Sequence, residues 1–386
     1  MSSCTYFGIP LLFLVLSRSP IQAETFELHR HKSPNQTSTE AVEIRDAVLF
    51  HTDQIVPDAQ TTTSFEKQTK AVLQMLKTVI EEHQLSISEL VKLNVYLRDE
   101  QDSSIFEQQL VDWCGKQLPA VAYVQTPLPN VNDSIGLDAV IAGKRIVSEK
   151  SSHSIHVRAL PRGDVVYVSG QAEPGDLPTA TRATLESLLK TIEHLNLNRE
   201  QVIGIKCFLT PMADVSAVKS QIAEVFEVGP MPVVSYVEWI ASSSRPIEIE
   251  MIVAAPHEDA ESTVTYFTPP GMQASPVFSR VARIHGNQRI YLSGIASPTA
   301  DAALETRAVF DRIELALEQA GSDLTHLAKA TYYVSTSDAS QQLNQLRPSY
   351  YDSKRPPAAS KAMVSGVGYL DAELSIDLIA APVTAP

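Results

Sequence analysis

The sequence predicts an α+β protein built from three tandem copies of one domain, each a mixed β-sheet with two helices on one face. Recurring segments carry this reading. A strand running to a small hydroxyl residue recurs as VLFHTDQI (48–55), VVYVSGQA (165–172) and RIYLSGIA (289–296). A proline-led apolar strand recurs as LPAVAYVQ from Leu118, MPVVSYVE from Met231 and PPAASKAM from Pro356. Thr52, Ser169 and Ser293, like Pro119, Pro232 and Pro357, recur about every 120 residues, which is a whole domain and well beyond a solenoid unit. The limits expected are 24–147, 148–257 and 258–386, with linkers near 143–153 and 256–264, where HEDAEST reads as a polar connection.

Within each copy the order of elements is legible. The first strands lead into a helix whose apolar residues share one 3.6-period face. That face is Phe65, Val72, Leu76, Val79 and Ile80 in copy one, and Leu185, Leu188, Leu189, Ile192 and Leu195 in copy two. In copy three it is Val309, Ile313, Ala316, Leu317 and Ala320. A strand rich in β-branched and aromatic residues follows, from Val91, Val202 and Leu327. A second helix then buries Ile105, Phe106 and Leu110; Val215, Val218, Ile222 and Phe226; or Leu343, Leu346 and Tyr350. The proline strand and a last apolar strand (IGLDAVIA from Ile135, IEIEMIVAAP from Ile247, LSIDLIAAP from Leu374) close each copy. Such βα–βα–ββ units pack their helices on one sheet face.

Composition narrows the function. The 386 residues carry 31 Lys and Arg against 45 Asp and Glu, a net charge of −14. Nucleic-acid binders cluster Lys and Arg to neutralise phosphates, and HRHK (29–32) is the nearest approach to such a run; no nucleic-acid partner is expected. Residues 7–16 are apolar and lead to SRSPIQA, ending at Ala23, which reads as an export signal over 1–23 and places the protein in the periplasm or cell envelope. An upstream start or a disordered extension is the alternative, with a cytoplasmic location. The run is shorter than the about 17–25 residues of a membrane span. Cys114 and Cys207 lie in different copies and make no disulfide framework. No CxxC, HExxH, P-loop or GxGxxG occurs, so neither metal nor cofactor is implied. The histidines are scattered, and His51, beside Thr52, is expected on the surface.

The strand-SGQ element, the helix–strand–helix middle, the Pro-Ala-x strand and the closing x-I-E-I-E-x-I-A strand together resemble the RidA/YjgF family of imine and enamine deaminases. The likeness covers nearly all of 36–382 and is nearest in copy two, with VSGQAEP and IEIEMIVA. It implies a chorismate-mutase-like fold. Family members form homotrimers with substrate clefts between subunits, so three copies in one chain imply a monomeric pseudo-trimer with clefts between copies. The implied chemistry adds water to a 2-imino acid, releasing a 2-keto acid and ammonia. An arginine two residues after the strand proline grips the substrate carboxylate, while a Ser or Thr hydroxyl, a backbone carbonyl and a Glu on the last strand position water.

This chain holds Val121, Val234 and Ala359 in the arginine slot. A buried carboxylate without the planar two-pronged guanidinium lacks compensation worth at least about 1–3 kcal/mol. The hydroxyl slot is Thr52, Ser169 and Ser293, followed by Gly170 and Gly294 but by Asp53 in copy one. The closing-strand Glu survives only as Glu248, against Gly136 and Ser375, and two residues on stand Asp138, Glu250 and Asp377. Those acids also read as structural or solvent-facing charges, and the serines as turn residues. Lys361 lies two residues after Ala359 and so shares its face; Tyr123 and Tyr236 stand at the matching positions. Lys361 offers a point charge, or simply snorkels, and Arg245 and Arg355 are weaker substitutes.

The expected function is a divergent family protein that binds or processes a small-molecule ligand between its copies. The candidate catalytic residues are Glu248, Ser169 and Lys361, and the candidate binding residues are Tyr123, Tyr236, Ser293, Thr52, Gly170 and Gly294. The alternatives are an active deaminase hydrolysing C=N bonds with Lys361 or another cation, and a scaffold with vestigial pockets. The acidic charge disfavours the endoribonuclease activity sometimes attributed to the family.

Overall fold

The computed structural model describes Met1 and residues 25–33, 38–58, 64–146, 155–240 and 244–384. The expected export segment, apart from Met1, and most of the first linker lie outside the described residues.

Copy one runs through β1 (Glu27–Lys32), β2 (Thr39–Arg45), β3 (Val48–Thr52), α1 (Phe65–Glu82), β4 (Leu90–Leu97), α2 (Ser103–Cys114), β5 (Ala120–Gln125) and β6 (Ile135–Gly143). Copy two follows with β7 (Val157–Leu160), β8 (Asp164–Gln171), α3 (Leu177–Glu193), β9 (Val202–Leu209), α4 (Val215–Val225), β10 (Val233–Glu238) and β11 (Ile247–Ala255). Copy three adds β12 (Val264–Phe267), β13 (Val281–Ile284), β14 (Gln288–Leu292), α5 (Ala302–Gln319), β15 (Leu327–Val334), α6 (Ser337–Leu346), β16 (Ala358–Met363) and β17 (Leu374–Ala380).

The predicted helical faces are the buried ones. Val72, Leu76, Val79 and Ile80 of α1, Leu185, Leu188 and Ile192 of α3, and Val309, Ile313 and Leu317 of α5 are almost fully enclosed. Each such side chain contributes about 1.5–3 kcal/mol. Local chemistry starts the helices where the apolar faces begin. Asp176 caps α3 by accepting from the Thr179 amide, Asp301 caps α5 through Leu304, and Thr336 caps α6 through Ala339.

The proline strands β5, β10 and β16 pair in parallel with β4, β9 and β15, and every other ladder is antiparallel. Parallel neighbours need a crossover, and α2, α4 and α6 supply it. The helices cover only the outer faces. The inner faces of all three sheets meet in one shared core that includes Leu49, Val91, Val140, Tyr167, Ile203, Tyr291 and Ile379. Burial on both faces explains why the closing strands read as unbroken apolar runs rather than alternations.

The sheets also exchange strands. Copy two's β7 pairs with β3 of copy one, and copy three's β12–β13 hairpin joins β8 of copy two. The β1–β2 hairpin closes the cycle by pairing with β14 of copy three. The links from β2 to β3, β7 to β8 and β13 to β14 span only two or three residues and carry Asp46, Gly163 and Gly286 at positive φ. Such short links suit hairpins, yet each hands the chain to the next sheet. No described helix is long and apolar enough to cross a membrane.

Candidate functional site

Strand exchange builds three equivalent clefts, each where the hydroxyl strand of one copy faces the proline strand of the next. One position on the exchanged strand recurs in all three. The carbonyl of His156 accepts from Asp53 N, that of Arg280 from Ser169 N and that of Glu40 from Ser293 N, at 2.9, 2.9 and 2.8 Å. The same backbone slot thus carries a histidine, a cation and an acid, so the clefts have different charge.

The cleft between copies one and two is filled by the chain itself. The Thr52 hydroxyl donates to Asp53 O and accepts from Ala139 N, so it is committed to its own sheet. Asp53 stands where the other clefts have Ser169 and Ser293, so the hydroxyl slot expected at Thr52 falls one residue later. It takes the Val234 amide at 2.8 Å, as Ser293 takes that of Val121. Gln54 binds both the carbonyl and the amide of Tyr236. Burial pushes the Asp53 carboxyl up, and the Val234 amide and His156 pull it back. Tyr236 is buried, with the Lys219 ammonium 5.5 Å from its ring centroid.

The cleft between copies two and three retains the acid. A Cβ at Gly170 would collide with the Glu248 carboxyl and the Ser360 hydroxyl, so the glycine lets these two groups come together. Burial raises Glu248 to about 7, the Ser360 hydroxyl opposes that shift, the nearby Glu250 charge adds to it and Arg280 opposes it. The Ser169 hydroxyl is enclosed and without a hydrogen-bond partner. A carboxyl titrating near neutrality beside hydroxyls is suited to moving a proton. Lys361 is half-buried, and its ammonium binds Ser340 Oγ at 2.9 Å and Asn344 Oδ1 at 3.1 Å, both on α6. It is anchored to the helix α6 of its own copy rather than hydrogen-bonded to Ser169 or Glu248. Arg245 bonds the Ala172 carbonyl and Arg355 the Ser262 hydroxyl.

The cleft between copies three and one holds a cavity of about 290 Å³. Ser293 donates to Thr39 O (2.6 Å) and accepts from Val121 N (2.9 Å), which pins the two walls together. Gly294 N donates to Val121 O, and the Tyr369 hydroxyl donates to Gly294 O at 2.7 Å. Tyr123 and Tyr369 meet edge to face, 5.3 Å between centroids. Arg312 of α5 pairs with Glu40 at 3.0 Å and also donates to Ala296 O. Glu107 of α2 is hydrogen-bonded to the Tyr123 hydroxyl, and desolvation raises its pKa.

Of the residues singled out in the sequence, the structure brings Ser169, Gly170 and Glu248 to one cleft and Tyr123, Ser293 and Gly294 to another. Tyr236 lies in the third, bonded by Gln54, whereas Thr52 turns to its own sheet and lines the space between the three sheets. The arginine slots hold Val121, Val234 and Ala359, packed against the helical cores. Arg280, Arg312, Glu40, Glu107 and Tyr369 were not expected, because each reaches its cleft from a different element or copy. Aligning the exchanged strands on the hydroxyl strands would have picked out Glu40, His156 and Arg280. His51 departs from expectation. It is buried, and desolvation, with Arg289 nearby, lowers it to about 4, so it is a neutral core histidine rather than a surface one.

Several known proteins share features of this chain. A protein-family model described as Endoribonuclease L-PSP matches residues 149–255 and 272–382. No curated protein matches. Among solved structures, a YjgF protein family member from Neisseria meningitidis is 23% identical, covering 33% of this chain and 100% of its own, with a TM-score of 0.25. A conserved Rid family protein from Yersinia pestis is 17% identical over 31% of this chain and 98% of its own, with a TM-score of 0.29. A member of the YjgF/YER057c/UK114 family from Mycobacterium tuberculosis is 24% identical over 31% and 98%, with a TM-score of 0.23. With more than half of its length matched by the family model, and with tandem copies of the strand and helix order described above, the chain belongs to the Endoribonuclease L-PSP family, that of the RidA/YjgF proteins.

Proposed function

We propose that the protein binds a small metabolite in the cleft between copies three and one, and that standard 2-imino-acid hydrolysis is not the activity of that cleft. The observation that carries this reading is the cavity of about 290 Å³ between Tyr123 and Tyr369 on one side and Arg312 on the other. Its volume is at the small end of ligand pockets, about 300–1,000 Å³. Among the described residues the one guanidinium lining it is already paired with Glu40, and Glu107 adds a second acid. A ligand carboxylate would therefore meet acids rather than a free two-pronged donor. A neutral or amine-bearing molecule with an apolar body fits better, its body on the tyrosine rings and its polar end at Glu107. The chain acts as a monomer, its copies standing in for three subunits.

A thermal-shift screen of amines, neutral amides, amino acids and keto acids tests this. A ligand at about 100 times its Kd adds roughly 2.7 kcal/mol of stability. Amines or amides should raise Tm, and Glu107→Gln should weaken the effect. A response to keto acids alone would refute the reading, and no response at all would favour a scaffold.

A second reading is supported by Glu248, poised near 7 beside Ser360 and Arg280. In it the cleft between copies two and three hydrolyses a C=N bond, with Arg280 or Lys361 as the cation. Keto-acid release from an enzymatically generated 2-imino acid, at no more than the spontaneous rate, removes that reading.

A further inference from the structure

Apart from the clefts, six charged side chains converge on a buried chamber of about 70 Å³ between the three sheets, one lysine and one acid from each copy. They are Lys92, Lys206 and Lys329 with Asp138, Glu250 and Asp377. Two ion pairs cross between copies: Lys92 to Asp377 at 2.6 Å and Lys329 to Glu250 at 2.8 Å. Asp138 is satisfied without a cation, by Asn94 Nδ2 at 2.7 Å and by the Tyr96 hydroxyl. This leaves Lys206. It is 8% exposed and, among the described residues, has neither a hydrogen bond nor an ion pair for its ammonium; the Tyr96 ring centroid lies 5.9 Å from Nζ.

The charge count points the same way. Arg289, buried with its guanidinium on the Gly163 and Gly286 carbonyls, acts electrostatically on His51 and Tyr291 of the chamber wall. With it, the cations around the chamber outnumber its three carboxylates among the described residues. An unpaired buried cation is costly unless a counter-charge joins it. A water needs only about 10–15 Å³ of such space, so there is room for an ion of four or five heavy atoms. His51 Nε2, buried and unpartnered on the same wall, supplies a second hydrogen-bonding group.

We propose that this chamber binds one small inorganic oxyanion, of phosphate or sulfate size, on the Lys206 ammonium. The site is independent of the cleft ligand.

Equilibrium dialysis of the full chain against radiolabelled inorganic phosphate, and separately sulfate, tests it. The wild type should bind about one ion per chain. Lys206→Met should bind none while remaining folded by circular dichroism, and Lys77→Met, on the exposed side of α1, should bind as the wild type does. Should Lys206→Met not fold, the wild type decides: its Tm should rise saturably with phosphate relative to sodium chloride at matched ionic strength. Absence of binding by both ions, undiminished binding by a folded Lys206→Met, or an unchanged Tm would each overturn the proposal.

Discussion

The Asp53 carboxylate takes the backbone amide of Val234 across the boundary between copies one and two, at 2.8 Å. Ser169 and Ser293 hold the matching position in the other copies, and the next residue is Gln54 here but Gly170 and Gly294 there, where side chains lining those clefts come close to the backbone. Gln54, bonded to both backbone groups of Tyr236, thus fills this cleft at the position where the other copies have a glycine.

Replacing Asp53 tests the plug. Asp53→Ala leaves the Val234 amide without an acceptor and should cost about 1–3 kcal/mol in urea unfolding. Asp53→Asn keeps an acceptor and drops a buried charge, so at pH 8 it should be at least as stable as the wild type. An Ala variant of unchanged stability would show that the carboxylate holds nothing.

Glu248 gives stability a definite pH dependence. Its folded pKa is raised from 4.5 to about 7, chiefly by burial. The protonated form therefore suits the fold. Its contribution is fully present below about pH 4.5 and is lost as pH rises through about 7, by up to about 3 kcal/mol. Glu248→Gln should remove this component: its stability relative to wild type should rise between pH 4.5 and 7 and level off above about 8. Parallel urea curves for the two proteins at pH 4.5, 6 and 8 would contradict the assignment.

Lys92 and Asp377 join copies one and three inside the protein. Removing either alone strands its partner, so Lys92→Met and Asp377→Leu should each destabilise by about 3–5 kcal/mol. The double variant should cost well below the sum. Additive costs in a double-mutant cycle would show that the pair is not coupled.

Deleting residues 1–45 removes the hairpin that covers the β14 edge of copy three. Exposed edges recruit other strands, so the shortened chain should dimerise or aggregate in size-exclusion light scattering, whereas the full chain should run as a monomer near 42 kDa. A soluble truncated monomer with unchanged Tm would mean that the exchanged hairpin is dispensable.

The sequence alone determined what repeats and periods encode. Three copies, the α+β class, and helical faces such as Val72–Leu76–Val79 follow from local patterning, which survives whatever the chain later packs against. The apolar residues Val121, Val234 and Ala359, where the resemblance implies an arginine, were equally legible, because they sit at fixed offsets from Pro119, Pro232 and Pro357. Only tertiary structure decided which copy each opening strand serves, since a two-residue link such as Asp46–Ala47 suits a hairpin as well as a handover. The same holds for the site. Arg312 and Glu40 are 272 residues apart and meet because β2 crosses into the sheet of copy three. His51 and Asp377, polar in sequence and buried in the fold, show the same limit: alternation along a strand predicts a face, but the partner beyond that face decides whether it is water, a cleft or another sheet.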